Sequence, residues 1–452
     1  MARFALLGHA SPDAVVAYRA GVPLSARQFL HDVGRVRAVL GAGRHVLNAC
    51  SDRYRFTVGF AAGLTAGKVS LLPSTHTSEV IRQLQAFAPD AVCLTDSANC
   101  EIRLPQVRYP AEDVAPATGV APVPQIEGTQ LATCVFTSGS TGTPVPYLKT
   151  FGPLLQCVRE EALRLGIDAG TRWSIVATVP PQHMYGFESS VLMALANGHA
   201  LSAEHPFYPA DIAAVLESVP RPRALISTPV HLRALVGTAT VLPPTDLIVS
   251  ATAPLSQQLA TEVEQRYRTR LMEIYGSTET GQVAARRPTT GPEWQLWPGV
   301  RFTPRGGDTW ADGGHIEQPT RMCDVLEITG EGRFLLHGRL ADLVNIGGKR
   351  SSLAYLNHQL NLIAGVEDGA FFHVEDRRGA HPEVSRVAAA VVAPGLEAAA
   401  LLEALRERID PVFLPRPLLL VPRLPRNATG KLPLEALQAL AAQHLKASSS
   451  AA

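Results

Sequence analysis

An excess of charge of one sign is what this sequence lacks first: 41 Lys and Arg stand against 40 Asp and Glu, for a formal net charge of +1. No global field marks it for a nucleic-acid backbone or an anionic membrane face. Long apolar runs are missing too. The longest candidate, Val387 to Val392, stops at Pro394-Gly395, well short of the roughly 18 residues a membrane helix needs. The apolar stretch in Met1-Ala-Arg-Phe-Ala-Leu-Leu-Gly is too short for the core of a secretion signal. The six cysteines, Cys50, Cys93, Cys100, Cys134, Cys157 and Cys323, form no CxxC pair and have no histidine nearby at metal spacing. They read as reduced thiols, and the expected location is cytoplasmic. No internal repeat is visible.

What is present is length and an alternating texture. At 452 residues, 46% of them hydrophobic and 18% charged, the chain exceeds one ordinary core and predicts two or more globular domains. From residue 45 to 100, apolar strands (His45 to Cys50, Val69 to Leu72, Ala91 to Leu94) alternate with helical stretches (Phe56 to Ala66, Glu79 to Ala88). That order implies a mostly parallel, helix-covered sheet. Beyond the proline-rich link Pro116 to Pro124, strands at Cys134-Val-Phe, Ser174 to Val179, Ala224 to Ser227 and Asp246 to Val249 continue it. Between 290 and 340 the texture turns to Gly, Trp and short β-like pieces, which predicts a small barrel or antiparallel sheet. The expected fold is α/β: a large domain over 1–340 and a smaller, mobile α/β domain over 341–452. In the smaller domain, strands are expected near Gly369 to Phe372 and Arg386 to Val392, a helix over Glu397 to Arg408, and little structure after Ala447.

Chemistry concentrates in a few segments. Directly after Cys134-Val-Phe comes Thr137-Ser138-Gly139-Ser140-Thr141-Gly142-Thr143-Pro144, with five hydroxyl side chains and two glycines. Glycine lets backbone N–H groups approach an anion that a Cβ would hold off, so a polyphosphate suits it. It is not a Walker A loop, for no Gly-Lys-Ser/Thr follows at the required spacing. Alone it is equally compatible with a flexible turn. A second segment, Tyr275-Gly276-Ser277-Thr278-Glu279-Thr280-Gly281, follows apolar Leu271 to Ile274 at a strand end. There Tyr275 can stack on a purine, Thr278 can bond a phosphate, and Glu279 offers Mg²⁺ a hard carboxylate oxygen. A capped helix start fits the same letters.

Further on, Asp324 to Arg339 places an acid and an arginine on neighbouring strands, and Pro422 to Lys431 carries Arg-Asn-Ala-Thr-Gly-Lys in the last loop. In order and separation these segments resemble the superfamily of acyl-CoA synthetases, peptide-synthetase adenylation domains and luciferases, over nearly the whole chain. The resemblance implies ATP- and Mg²⁺-dependent conversion of a carboxylic acid to an acyl-AMP, with pyrophosphate released, then transfer to a thiol. It implies that Thr137, Ser138, Gly139, Ser140, Thr141 and Gly142 cradle the ATP phosphates. Ala251, Thr252 and Ala253 would lie against adenine in place of a glycine-rich strip, and Tyr275, Gly276 and Ser277 would border the same nucleotide. Thr278 and Glu279 match the phosphate and Mg²⁺ contacts, Asp324 the ribose acceptor, Arg339 its cationic neighbour and Lys431 the catalytic lysine. A cation there answers a physical need, because two anions, carboxylate and α-phosphate, must meet.

The chain departs from that pattern in places. Val145 stands where the family has a lysine, with Lys149 the nearest cation, and Ala341, beside Asp342, stands where the family has a charged hinge residue. His183, Tyr185 and Phe187, with Gly276 and Gly281, match the wall of a compact acyl pocket suited to a benzoate-sized acid. His183 equally fits an ordinary half-buried histidine. Segments such as Ser51 to Phe60 and Ser70 to His76 resemble short ligases of bacterial xanthomonadin and aryl-polyene pigment clusters. This implies a hydroxybenzoate loaded on the phosphopantetheine of an acyl carrier protein; an aryl- or acyl-CoA ligase is the alternative. Lys349, Arg350, Arg406, Arg408, Arg416, Arg423 and Arg426 could meet an acidic carrier protein or form a solvated face. A phosphate-loop kinase and a non-catalytic nucleotide- or acyl-binding descendant of a ligase are the readings of other classes.

Overall fold

A computed structural model describes residues 2–73, 75–111, 121–138, 144–167, 170–339, 343–346, 349–374, 386–427 and 432–450. The expected alternation is there. Strand His45–Asn48 runs parallel to Val69–Leu72 on one side and to Val92–Thr95 on the other, with helices Arg53–Thr65 and Ser78–Phe87 between them in the chain. Both helices start where a polar side chain caps them: Asp52 accepts from the Arg55 amide and Thr77 from that of Val80. These strands belong to a six-stranded sheet that ends in an antiparallel hairpin, Leu131–Ser138 with Pro144–Thr150.

The second sheet has 11 strands. Its centre is parallel: Arg270–Ser277, Leu247–Ser250, Arg223–Ser227, Ser174–Ala177, Ala200–Ser202 and Val15–Arg19 lie side by side. Of these, Leu247–Ser250, Arg223–Ser227, Ser174–Ala177 and Ala200–Ser202 are buried along their whole length, on both faces. The antiparallel strands expected over 290–340 do not close a separate barrel among the described residues. Gly281–Arg286, Trp294–Leu296, Arg333–Arg339 and Asp324–Gly330 extend the large sheet by antiparallel pairing, while Val300–Arg305, Asp308–Gly313 and Thr320–Arg321 make a three-stranded sheet. Phe334 joins the two groups, stacked near Trp294 and edge-on to Phe302 at 4.9 Å between ring centroids.

Residues beyond 343 build their own cores. One cluster around Leu356, Phe371, Val391 and Leu405, and another around Phe372, Ala390, Leu419 and Leu437, share no member with the cores of the preceding residues. Their sheet pairs Asp368–Val374 with Arg386–Val392 and the latter with Leu418–Leu420. Helix Ala398–Arg406 covers it. The C-terminal helix Leu434–Ser450 runs further than the sequence predicts, because once Leu437 and Ala441 anchor it, each added residue needs only its own backbone bond. All six cysteines are free, and no helix among the described residues is long and apolar enough to cross a membrane.

Candidate active site

The site forms where the parallel strands of the large sheet end. In open α/β sheets the carboxyl ends of strands leave a crevice that backbone and loop groups can line. Here Leu247–Ser250 delivers Ala251, Thr252 and Ala253, and Arg270–Ser277 delivers Tyr275, Gly276 and Ser277 beside it, with Ser250 opposite Glu273. The strip after Ser250 is held by Glu273. Its buried carboxylate accepts from the Leu255 amide at 2.9 Å and from Arg286 Nε at 2.7 Å. Thr252 sits at φ +77, a left-handed conformation that a β-branched residue rarely adopts and that a glycine would take freely.

Tyr275 and Asp324 meet directly. The Tyr275 hydroxyl donates to Asp324 Oδ2 at 2.5 Å, and the ring packs beside Trp294 and Phe334 at 5.6 and 5.7 Å. Asp324 and Arg339 face each other across the ladder of their strands.

The segment after Tyr275 is a hairpin turn, not a helix start. Ser277 pairs with Gly281, and between them Thr280 Oγ1 accepts from the Ser277 amide at 3.3 Å while Ser277 Oγ accepts from the Thr280 amide at 3.2 Å. Thr278 and Glu279 sit half-buried at its tip. Two side chains from outside the hairpin bind consecutive carbonyls of the turn. Lys149 Nζ donates to the Glu279 carbonyl at 2.6 Å, and His315 Nε2 lies 3.1 Å from that of Thr280. A carbonyl only accepts, so His315 carries its proton on Nε2; burial pushes its pKa down to about 4, which keeps the ring neutral. Burial also lowers the pKa of Lys149, against the pull of Glu188, Glu317, Cys157 and Glu279. Lys149 is thus engaged by the second motif, 130 residues further along the chain.

Lys149 lies on the strand Pro144–Thr150, which pairs with Leu131–Ser138. The flanking strands pair Thr137 with Val145 and Ser138 with Pro144. Gly139, Ser140, Thr141 and Gly142 lie outside the described residues, as do Lys431 and Ala341; nothing is described of the side chains of Thr137, Ser138 and Arg339.

The residues matched to the acyl pocket are placed unevenly. His183 is half-buried at the start of the short helix Met184–Gly186. Tyr185 is buried and donates to the Val249 carbonyl at 3.0 Å, tying that helix to the strand before Ala251. Phe187 points into the core, edge-on to Phe60 at 4.9 Å. Gly281 must be glycine: its φ is +73, and a Cβ would stand 2.9 Å from Glu188 Oε1. A Cβ on Gly276 would meet the Gly281 carbonyl at 2.4 Å, so that pairing too depends on glycine.

Glu188 lies on a π-helical turn, Phe187–Leu192, a geometry that turns Glu188 and Ser189 inward together. Behind it Glu161, Ser189 and Gln282 close a ring. Ser189 Oγ donates to Glu161 Oε1 at 2.6 Å, Gln282 Nε2 donates to Ser189 Oγ at 2.8 Å, and the remaining amide atom of Gln282 faces the Glu161 carboxyl at 3.1–3.2 Å. Reversing the amide would suit an ionised Glu161. Burial favours the acid instead, whose proton completes the ring with the amide as placed.

Among the described residues no three His, Cys, Asp or Glu side chains gather as a metal site. Mg²⁺ does not need one, since it is commonly held by one or two carboxylates with substrate phosphates and water. A carboxylate of that kind is present in Glu279, half-buried at the tip of the turn.

The sequence profile described as "AMP-binding enzyme" matches residues 4–302. The chain belongs to the AMP-binding enzyme family. It is 31% identical over 239 residues to a 4-coumarate–CoA ligase of Rhodobacter capsulatus, a match covering 53% of this chain and 60% of that one. To a 2-succinylbenzoate–CoA ligase of Bacillus licheniformis it is 25% identical over 477 residues, covering 93% and 96%. Its fold is like that of ATP-bound MatB from Rhodopseudomonas palustris, with a TM-score of 0.80 at 18% identity over 95% of this chain and 96% of that one. The o-succinylbenzoate CoA synthetase of Bacillus subtilis, in complex with its acyl-adenylate intermediate, gives 0.79 at 18% identity over 97% and 99%.

Sequence reasoning missed the inward Lys149 and His315, the Glu161 ring and the Glu273–Arg286 pair. It missed Glu188 as well, for which a signal existed: an acid interrupts an otherwise apolar or small stretch, Phe187-Glu-Ser-Ser-Val-Leu. It also missed that Arg426 is engaged, donating to Asp368 at 2.8 and 2.9 Å, with Arg233 of the large sheet's helices 3.6 Å from the same carboxylate.

Proposed function

We propose that this member of the AMP-binding family is an AMP-forming acid–thiol ligase with ATP and Mg²⁺ as cofactors. The observation that carries the reading is the convergence on one hairpin: Tyr275 bonds Asp324, and Lys149, from the strand after the phosphate loop, bonds Glu279. Tyr275, Asp324 and Glu279, which the resemblance assigns to the nucleotide and its metal, thus lie on or against one hairpin, which supports the reading. In this reading Tyr275 and residues 251–253 border adenine, Asp324 accepts from the ribose hydroxyls, and Thr137 to Gly142 with Thr278 bind phosphate. Bound at Glu279, Mg²⁺ would neutralise phosphate charge. Lys431, which the resemblance matches to the catalytic lysine, would bring its ammonium to the attacking carboxylate and the α-phosphate. Losing such a contact commonly costs about 10²–10³ in rate.

The acid we propose is a hydroxybenzoate, on the match of His183 and Tyr185 to the wall of a compact acyl pocket and on the pigment-cluster resemblance. The matched relatives are named for aromatic acids, coumarate and succinylbenzoate, which supports an aryl substrate. For the acceptor we propose the phosphopantetheine of an acyl carrier protein. Arg406, Arg408, Arg416 and Arg423 are exposed on the smaller domain and suit an acidic partner; Arg426 is taken by Asp368. CoA is the second reading, favoured by the relatives' names.

Acid-dependent ATP–pyrophosphate exchange over a panel of acids tests the first half. Hydroxybenzoates should exceed octanoate, and a preference for octanoate would overturn the acid. Offering CoA and a holo carrier protein in turn decides the acceptor.

A further inference from the structure

We propose that Lys149 is a positioning residue for the Mg²⁺-binding carboxylate of Glu279, acting through the backbone carbonyl of the same residue. The proposal rests on the reading above that Glu279 meets Mg²⁺.

Lysine belongs at the surface by default, and taking an ammonium out of water is costly without anionic partners. Lys149 instead reaches from the strand Pro144–Thr150 to a carbonyl 130 residues away in sequence, at 2.6 Å. The charge around it is arranged to suit. Glu188 and Glu317 are its strongest acidic neighbours, and Glu317 is itself held by the Thr150 amide at 2.9 Å.

The consequence for Glu279 is geometric. Its own carbonyl is bound by Lys149 and the next one, of Thr280, by His315. The Ser277–Thr280 bonds close the turn from inside. With both carbonyls fixed, the peptide planes flanking Thr280 cannot rotate, and the direction in which the Glu279 side chain leaves the turn is set. A metal that accepts only near-octahedral geometry rewards such fixing more than a flexible ligand set would.

Two other roles compete: a structural strut between hairpins, and a direct phosphate contact replacing the lysine missing at Val145. Calorimetric ATP binding to the full chain, in Mg²⁺ and in EDTA, separates all three for Lys149→Met. Positioning predicts that affinity in Mg²⁺ falls about tenfold, the scale of one charge-assisted hydrogen bond, while affinity in EDTA stays within about twofold. A phosphate contact predicts at least as large a loss in EDTA, and a strut predicts no change in either; both outcomes overturn the proposal. Should Lys149→Met not fold, Lys149→Gln, whose neutral and shorter side chain forfeits the charge-assisted bond, gives the same comparison. A double variant adds a check, because with Glu279→Gln already present Lys149→Met should change Mg²⁺-dependent binding no further. If the parent protein binds no ATP with Mg²⁺, the functional reading itself fails. If it binds and Lys149→Met binds equally well, only the role of Lys149 fails.

Discussion

The Tyr275 hydroxyl donates to Asp324 Oδ2 at 2.5 Å, joining the residue proposed to face adenine to the one proposed to hold ribose. The bond fixes the carboxylate before nucleotide arrives. Tyr275→Phe keeps the ring beside Trp294 and Phe334 and removes only the donor. The expected result is a rise in KM for ATP of about fivefold, from roughly 1 kcal/mol of lost preorganisation, with KM for the acid unchanged. An unchanged KM for ATP would show that the bond does not serve nucleotide binding.

Glycine at 281 should matter beyond its backbone angle. Gly281 and Gly332 have similar φ, +73 and +68, but a Cβ at Gly332 meets nothing within 4 Å while one at Gly281 stands 2.9 Å from Glu188 Oε1. Gly332→Ala should cost about 1 kcal/mol, from left-handed strain alone. Gly281→Ala should cost about 2–3 kcal/mol, and adding Glu188→Ala should recover part of the difference. Equal losses for the two glycines in urea unfolding would remove the clash from the account.

Glu188 gives a pH dependence of defined sign. Burial raises its pKa from 4.5 to about 7, opposed by Lys149 and by hydrogen bonds from Cys157 and Gln282. Between those values the folded protein holds a proton that the unfolded chain has released. The stability from this proton is present below about pH 4.5 and is lost as pH rises through about 7. Glutamine is neutral throughout. Glu188→Gln should therefore gain on the parent protein by on the order of 3 kcal/mol between pH 4.5 and 7.5. A constant offset between the two unfolding curves at pH 5 and pH 8 would contradict this.

The fold was legible where chemistry is local. Apolar runs of strand length separated by helical stretches gave the parallel strands from His45 to Thr95 nearly residue for residue, and hydroxyl- and glycine-rich segments marked the strand ends. Placement of single polar side chains was not legible. Whether Lys149 is a surface lysine or an inward one depends on Glu279, 130 residues on, and no local pattern encodes that. The same holds for Asp368, whose partners Arg233 and Arg426 lie on different cores. Strand Val15–Arg19 escaped notice for a related reason, since its parallel neighbour is Ala200–Ser202.

Lys431 should separate the two half-reactions. Lys431→Ala is expected to lower acyl-adenylate formation by about 10²–10³, while thioester formation from preformed acyl-AMP survives. Equal loss of both steps in a folded protein would remove the role assigned to this lysine.

The central claim is that an acid is activated at the α-phosphate of ATP. Quantifying nucleotide products, with hydroxybenzoate and a thiol acceptor both present, tests it most directly. The account predicts AMP, pyrophosphate and thioester in equal amounts, with no turnover when the acid is left out; stoichiometric ADP and phosphate would contradict it.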